Sequence, residues 1–255
     1  MCVGSESTNL LTQRILSIEP MELLIDYDNV LKPHQRAGLA NLCDRILFKV
    51  EGEGIALGRR ISVRLYGGWY EGSTLSQNAQ LLAAEAARDF PRLFRSLTSS
   101  TTVPMTVELA TSLAIDPATP FHHTFRRQTP PDDVRCHDPR TLGCAHSACP
   151  TVQIHDAMRL RKCPEPSCSR DLRELLYRRS QKLVDTMLTV DLLDSPRRSA
   201  EPAVVVSSDD DLWPGIHSLL TAGYPAVQVH TRPGSIRRHP YVRPGRAGYV
   251  AIELS

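Results

Sequence analysis

The sequence contains no apolar run of the roughly 20 residues that a helix needs to cross a bilayer, so we expect no membrane partner. Its first 20 residues, MCVGSESTNLLTQRILSIEP, also lack the basic start and the continuous apolar stretch of an export signal. We therefore expect a soluble, cytoplasmic protein with a short flexible leader at residues 1–20.

The sequence also lacks an excess of either charge, since it contains 30 Lys and Arg residues and 28 Asp and Glu residues. A net charge of +2 gives no indication of a nucleic-acid partner for the chain as a whole, so any such indication has to be local. Basic residues do cluster at Arg126–Arg127, at Arg159–Lys162, at Arg178–Arg179 and between Arg232 and Arg246. A solvated charged surface explains each cluster equally well.

The length of the chain points to one core domain that carries an insertion, since 255 residues exceed one average domain and fall short of two. A hydrophobic content of 41% and a charged content of 23% are typical of a globular protein. Pro, His, Arg and Cys become frequent between about Asp116 and Ser169. We therefore predict a domain over residues 21–255 that is interrupted by an insertion at residues 116–169.

Short apolar runs alternate with amphipathic stretches outside the predicted insertion. Strands are predicted at residues 21–26, 61–68, 103–110, 203–206, 226–230 and 249–254. Helices are predicted at residues 33–50, 76–97, 170–193 and 213–221. This alternation predicts an α/β fold in which helices flank a mostly parallel central sheet.

Five of the seven cysteines lie in the predicted insertion, and without an export signal metal binding is favoured over disulfides. Two pairs, Cys144-x4-Cys149 and Cys163-x4-Cys168, have the arrangement of a four-cysteine site for structural Zn²⁺. Such a site supplies the folding energy that a small insertion lacks. Other side chains compete as ligands, namely Cys136, His137, His146 and His155, and a group of reduced thiols in a loop is the remaining alternative.

Acidic residues end two of the predicted strands. Asp26 closes the first strand, and Asp209 and Asp211 follow the strand at residues 203–206. Because the carboxyl ends of parallel strands open onto one crevice, these acids are expected to converge there. Carboxylates held close together repel one another unless a cation such as Mg²⁺ or Mn²⁺ neutralises them. The alternative for the Asp-rich turn is capping of the helix that begins near Trp213.

The predicted helix at residues 170–193 adds further acids near its apolar face, Asp185 and Asp191. Asp185 is a candidate site residue, with an intrahelical ion pair to Lys182 as the alternative. Asp191 is either a further site residue or a buried carboxylate that pairs within the fold. The role of Asp28 is open as well.

Three blocks of the sequence resemble the NYN family of PIN-like nucleases. The blocks are Leu23–Val30, with an acid at the end of a strand and an Asn three residues on, Gln181–Leu192, with a Lys-x-x-Asp pattern and a second acid, and Ser207–Pro214, which is similar to a Ser-Gly-Asp-x-Asp-Phe-x-Pro turn. They occur in the order of the family. The departures are Ser208 and Leu183, where Gly is usual or common, and Leu212 in place of Phe, and none of these removes a carboxylate.

The resemblance implies a PIN-like three-layer α/β/α fold and a hydrolase that cuts RNA with the help of Mg²⁺ or Mn²⁺. On the pattern of the family, the metal would be held by Asp26, Asp185, Asp209 and Asp211. Asn29 would help to orient the metal ions, and Lys182 or a nearby arginine would steady the negative charge that develops in the reaction.

Two rival functions remain open at this point. The first is a catalytically inactive PIN-like module that binds RNA or a protein, and the second is a phosphatase-like enzyme that acts on a small phosphate ester. The sequence does not separate RNA from DNA as substrate, and it leaves open whether the chain forms a homodimer. Trp69 and Tyr70 follow the second predicted strand, where they would either stack on a base or pack into the core.

Overall fold

The computed structural model describes residues 20–99, 101–128, 136–144, 146–176, 178–199, 201–238, 241 and 246–254. The leader expected at residues 1–20 lies outside these ranges, apart from Pro20. The chain divides into two compact units. The first unit contains residues 1–124 and 182–255, and the second contains Phe125–Gln181, where the change in composition predicted an insertion at 116–169.

The strands, in chain order, are β1 (Met21–Asp26), β2 (Ile61–Tyr66), β3 (Tyr70–Glu71), β4 (Thr74–Leu75), β5 (Arg92–Arg95), β6 (Thr102–Leu109), β7 (Phe125–Gln128), β8 (Arg178–Gln181), β9 (Ala203–Val206), β10 (Ala226–His230) and β11 (Tyr249–Glu253). The helices are α1 (Lys32–Arg36), α2 (Leu39–Gly52), α3 (Gln77–Asp89), α4 (Pro150–Leu160), α5 (Leu172–Leu175), α6 (Val184–Arg198), α7 (Trp213–Thr221) and α8 (Ser235–Arg238). Short 3-10 turns lie at Tyr27–Asn29, Pro139–Leu142 and Asp210–Leu212. In the described part of the chain, no helix has both the length and the apolar character needed to cross a bilayer.

A seven-stranded sheet in the order β11-β10-β9-β1-β2-β6-β5 forms the centre of the first unit. All neighbouring strands pair in parallel except β5 with β6, which are antiparallel. Helices α2 and α3 pack on one face of the sheet, and α6 and α7 pack on the other. The fold is therefore the expected α/β/α arrangement of three layers. All six residues of β1 are buried, as is typical of a parallel strand that is covered on both faces.

Two of the predicted helices end where a backbone constraint interrupts their periodicity. The helix predicted at residues 33–50 is split into α1 and α2 because Gly38, with φ at 92°, leaves the helical region. The helix predicted at residues 76–97 stops at Asp89, before Pro91, since a proline disfavours helical backbone in the residue that precedes it. Residues 92–95 form the edge strand β5 instead, which the sequence analysis missed.

The long helix predicted at residues 170–193 is wrong in its first half. That stretch contains the short helix α5 and the strand β8, and α6 begins only at Val184. Leu183 adopts a left-handed backbone with φ at 70°, which separates the strand from the helix. The second half of the prediction is confirmed, and α6 extends beyond it to Arg198.

The second unit is built around α4 and the antiparallel pair β7 and β8. Helix α4 begins with Pro150, a favoured residue in the first turn of a helix, and buries Val152 and Ala157. Arg140, in the preceding 3-10 turn, forms an ion pair with Asp156 of α4 at 3.0 Å. Among the described side chains of this unit, few apolar ones are buried.

Asp191 joins α6 to β2 inside the first unit, and the alternative of a buried pairing is therefore correct. Its carboxylate is fully buried and accepts hydrogen bonds from the Tyr66 hydroxyl at 2.6 Å and from the Ala114 backbone amide at 2.8 Å. The guanidinium of Arg64 lies 3.4 Å away. This network holds α6 at a fixed position over β2.

Replacement of this buried carboxylate is expected to destabilise the fold. Asp191→Ala leaves the buried Tyr66 hydroxyl and the half-buried Ala114 amide without their acceptor, which is expected to lower the free energy of unfolding by about 2–3 kcal/mol. Urea denaturation measures the change. Asp89→Ala is the matched control, because Asp89 pairs with Arg88 at the surface and its loss is expected to leave the urea midpoint close to wild type. Equal midpoints for wild type and Asp191→Ala would show that the network has no role in stability.

Candidate metal centre

The two acidic turns meet because β1 and β9 are parallel neighbours in the sheet. Ile25 pairs with Val206, so the residues that follow, Asp26 and Ser207, leave the sheet side by side. The Ser207 hydroxyl donates a hydrogen bond to Asp26 Oδ2 at 2.9 Å and accepts one from the Asp209 backbone amide at 3.1 Å. Ser207 therefore links the carboxylate of the first strand to the Asp-rich turn of the second.

Asp185 joins this group from the first turn of α6. The residue is exposed, but the surrounding side chains remove water from its carboxyl group, and this desolvation raises its pKa. The negative charges of Asp209, Asp211 and Asp28 raise the pKa further. Three separate segments of the chain therefore bring carboxylates within electrostatic reach of one another.

Asp26 is the most deeply buried acid of the cluster, with 3% of its surface exposed. Burial raises its pKa from 3.8 to about 7, and the charges of Asp185 and Asp28 add to the effect. The hydrogen bonds from Ser207 and from the Asn29 backbone amide act in the opposite direction and favour the ionised form. The surroundings of the Asp26 carboxyl group therefore disfavour its negative charge at neutral pH.

Asn29 presents an oxygen at the same edge of the sheet. Its backbone amide donates to Asp26 Oδ1 at 3.3 Å, and its backbone carbonyl accepts from the Thr231 hydroxyl at 2.9 Å. The side-chain oxygen Oδ1 is buried and has no hydrogen-bond partner among the described residues. A buried acceptor without a donor is costly, so this atom fits a metal ion or a metal-bound water.

Asp28, Asp209 and Asp211 shape the rim of the cluster. Asp28 Oδ2 accepts from the Gly68 backbone amide at 2.8 Å, which ties the turn after β1 to the turn after β2. Asp209 Oδ1 accepts from the Asp211 backbone amide at 3.0 Å and caps the 3-10 turn that leads into α7. The helix α7 itself has no side-chain cap, so the alternative that the Asp-rich turn caps this helix is wrong, and the bond of Asp209 within the 3-10 turn leaves its second carboxylate oxygen unused by that bond.

Lys182 does not occupy the position that the sequence analysis gave it. It lies in the connection between β8 and α6, before the helix begins, so the alternative of an intrahelical ion pair with Asp185 is wrong. Its side chain is exposed and forms no ion pair with the described residues. Its backbone amide donates to the Thr124 carbonyl at 2.7 Å.

Three residues of the site, Ser207, Ser208 and Thr231, were not recognised from the sequence. Ser208 Oγ lies 3.3 Å from the Thr231 hydroxyl and accepts from the Arg232 backbone amide at 3.0 Å. These contacts fasten the end of β10 to the acidic turn. In the sequence, only their position directly after β9 and β10 pointed to a place in the site. Their residue type gave no indication, because serine and threonine are common in turns of many kinds.

The cysteines of the second unit are free thiols, and the four predicted ligands are partly exposed. Hydrogen bonding to Thr151, and to a lesser extent to Cys144, lowers the pKa of Cys149 and so favours its thiolate. Cys163 and Cys168 lie in a tight turn, in which the Cys168 amide donates to the Glu165 carbonyl at 2.9 Å.

The described residues contain no set of three or more His, Cys, Asp or Glu side chains already arranged around one metal position. Cys144 contacts Cys149, and no third His, Cys, Asp or Glu among the described residues joins them around a metal position. Among the competing ligands, Cys136 is exposed, His146 Nδ1 accepts from the Ala148 backbone amide at 3.2 Å, and His155 contacts Asp156.

The aromatic residues after β2 belong to the core and its margin. Trp69 is 1% exposed, and its indole nitrogen donates to the Leu65 carbonyl at 3.0 Å, so the packing alternative is correct for this residue. Gly67 makes this arrangement possible, because a Cβ atom there would lie 2.6 Å from the indole ring. Tyr70 is half-buried against His122.

The fold and the site define an α/β protein with a carboxylate cluster at the carboxyl ends of adjacent parallel strands. Comparisons of the chain with protein-family models, with curated proteins and with solved structures returned no match.

Removal of the buried negative charge is expected to stabilise the metal-free protein at alkaline pH. The folded state holds the proton on Asp26 more tightly than the unfolded state, so its stabilising effect is complete below pH 3.8 and is lost as the pH rises through about 7. At pH 8 in EDTA, Asp26→Asn is therefore expected to raise the free energy of unfolding, by at most about 4 kcal/mol. Urea denaturation at pH 4 and pH 8 measures the difference between the two proteins, which is expected to be small at pH 4.

Asp89→Asn provides the control for this experiment, since Asp89 lies at the surface beside Arg88 and outside the cluster. The variant is not expected to gain stability as the pH rises. A loss of stability in Asp26→Asn at pH 8 would mean that Asp26 is not an electrostatically strained group.

Proposed function

We propose that the chain is a nuclease that hydrolyses RNA with the help of Mg²⁺ or Mn²⁺. The observation that carries this proposal is the convergence of Asp26, Asp185 and the Asp209–Asp211 turn, which come from three separate segments. Like charges packed in this way oppose folding unless a cation compensates for them. Hard divalent cations prefer oxygen ligands, which is the only kind of donor that these residues offer.

The cluster fits such a cation by the chemistry of its donors. Asp26, Asp185 and Asp209 would hold the ion directly or through water, and the buried Asn29 Oδ1 would take part as a neutral oxygen. When bound, the cation supplies Lewis-acid polarisation of the phosphate and lowers the pKa of an attacking water.

The chain's own residues position this chemistry. Ser207 orients the Asp26 carboxylate through its hydroxyl, and the Asn29 amide holds the second oxygen. The Thr231 hydroxyl holds the Asn29 backbone at this edge of the sheet. Asp191 holds α6 against β2, which places Asp185 at the rim. Rigid support of this kind is what a hydrolytic site needs in order to orient its water and its phosphate.

The resemblance to the NYN family of PIN-like nucleases adds support for a phosphodiester substrate. Its three blocks contain each of the converging acids. Leu183, which stands where that family commonly has Gly, adopts a left-handed backbone that glycine adopts without strain. At this position the chain therefore departs from the family pattern in its side chain, but its backbone has the conformation that a Gly would favour.

Loss of either strand-end carboxylate is expected to abolish cleavage while the fold is retained. With a fluorescently labelled single-stranded RNA in Mn²⁺, Asp26→Asn and Asp209→Asn are each expected to lower the cleavage rate by about 100-fold or more, because one ligand of the cation is lost. Asp89→Asn, which changes an acid outside the cluster, is expected to cleave at the wild-type rate. Circular dichroism monitors the fold of each variant.

Assays with different substrates distinguish the rival functions from one another. Turnover of a small phosphate ester in place of RNA would support the phosphatase-like alternative, and RNA binding without turnover would support the inactive module. Labelled DNA of the same sequence tests whether the ribose hydroxyl matters. Cleavage that survives in a purified Asp26→Asn and Asp209→Asn double variant would refute the proposal.

We also propose that the second unit binds a structural Zn²⁺ through Cys144, Cys149, Cys163 and Cys168. These four thiols lie in one small unit, two of them are already adjacent, and thiolates are the preferred ligands of structural zinc. A bound ion would supply the cross-link that a core of this size lacks.

Elemental analysis of the purified protein tests the zinc proposal. About one Zn²⁺ per chain is expected, with loss of the ion in Cys149→Ser and in Cys168→Ser. Cys136→Ser is the matched control and is expected to keep its zinc, since Cys136 is outside the proposed set. Zinc loss in Cys136→Ser together with zinc retention in Cys168→Ser would mean that the ligand set is wrong.

A further inference from the structure

Two positively charged residues border the acidic cluster where the turn after β1 meets the loop after β10. Lys32, the first residue of α1, lies three residues after Asn29, and Arg232 follows Thr231 just beyond the end of β10. Both residues are exposed, and neither forms an ion pair with a described residue. These two residues, the cation pair, therefore present positive charge that no carboxylate of the described chain neutralises.

The ammonium group of Lys32 is held by a neutral side chain. Its Nζ donates to Gln35 Oε1 at 2.8 Å, and Gln35 Nε2 donates to the Tyr27 carbonyl at 2.7 Å. Tyr27 directly follows Asp26, so these two hydrogen bonds tie the ammonium group to the turn beside the buried acid. Because the acceptor is an amide and carries no charge, the bond positions the positive charge without cancelling it.

Arg232 is attached to the acidic turn and to the turn after β1 by adjacent hydrogen bonds. Its backbone amide donates to Ser208 Oγ at 3.0 Å, one residue before Asp209. The hydroxyl of the preceding residue, Thr231, donates to the Asn29 carbonyl at 2.9 Å. Two strand spacings, about 10 Å, separate β10 from β1 in the sheet. Phosphates a few nucleotides apart on one strand can therefore reach both members of the cation pair.

A nucleic acid strand that approaches the acidic cluster meets charges of its own sign. The charges that act on Asp185 are those of Asp209, Asp211 and Asp28, all of them negative. A cation among these acids would compensate only for the phosphate that it contacts, so the neighbouring phosphates need other partners. Lys and Arg side chains provide such partners, because their binding to phosphates releases the counterions of the strand.

We infer that Lys32 and Arg232 bind backbone phosphates of the nucleic acid strand next to the bond that is cleaved. This inference rests on the proposed function and adds to it the path of the strand, which passes over the junction between the turn after β1 and the loop after β10. The contacts are made to phosphates, so they do not depend on the bases. Both are binding residues and take no part in the hydrolysis itself.

Binding in EDTA tests the inference without metal-dependent cleavage. Fluorescence anisotropy is measured over a range of salt concentrations with a labelled oligouridine and with an oligomer of the same length without bases. Lys32→Gln and Arg232→Gln are each expected to lower the affinity for both strands by about threefold or more. Each is also expected to reduce the slope of log affinity against log salt by about 0.7, because one phosphate contact is lost.

Arg59→Gln is the matched control, since it makes the same change in net charge at another place. Arg59 is exposed and lies just before β2, at the opposite end of the sheet from the acids. Its affinity and its salt slope are expected to equal those of the wild type. Urea denaturation checks that each variant is folded.

The double variant, Lys32→Gln with Arg232→Gln, gives a second readout. Its salt slope is expected to fall by about 1.4, the sum of the two single changes. In cleavage assays it is expected to raise KM and to leave kcat unchanged, because the two contacts are made equally to the bound substrate and to the transition state.

The outcomes distinguish the inference from the proposed function. A double variant with the affinity and salt slope of Arg59→Gln would overturn the inference even if the wild type cleaves RNA, and so would a loss of affinity confined to the strand that has bases. A reduced slope in the double variant, with a wild type that fails to cleave, would uphold the inference and overturn the proposed nuclease activity.

Discussion

Repulsion among desolvated carboxylates is the constraint on which the rest of this structure depends. Asp26 is almost fully buried at the end of a central strand, and Asp185 and Asp28 face it with charges of the same sign. The fold keeps these groups near one another, because Asp28 lies in the turn directly after β1 and the buried pairing of Asp191 with Tyr66 holds the helix that carries Asp185 over β2. A proton on Asp26 relieves the repulsion in the metal-free protein, and the divalent cation that we propose would relieve it while also supplying a reactive centre.

The polar contacts around the cluster keep the carboxylates in place against that repulsion. Ser207 connects Asp26 to the Asp209 turn, and the buried pairing of Asp191 with Tyr66 holds α6 above β2. Neither contact adds a charged group to the cluster. They restrict the positions that the acids can take, and a restriction of this kind would reduce the cost of ordering the groups around a bound cation.

The sheet and its acids could be predicted from the sequence because burial and position leave strong local signals. A fully buried parallel strand is a continuous apolar run, as in β1 and β9, and an acid directly after it marks the open end. The interruptions could not be predicted in the same way. A leucine such as Leu183 gives no indication of a left-handed backbone. The strand β5 was not predicted because the residues around Pro91 have the composition of a helix. Contacts such as Ser207 with Asp26 depend on which strands pair, which is a property of the whole sheet.

Titration of the purified protein with Mn²⁺ by calorimetry at pH 8 tests the central claim most directly. The account predicts saturable binding by the wild type that is lost or strongly weakened when the buried strand-end carboxylate is replaced by an amide in Asp26→Asn. Equal binding by the two proteins, or no binding by the wild type, would contradict the claim that this cluster is a cation site.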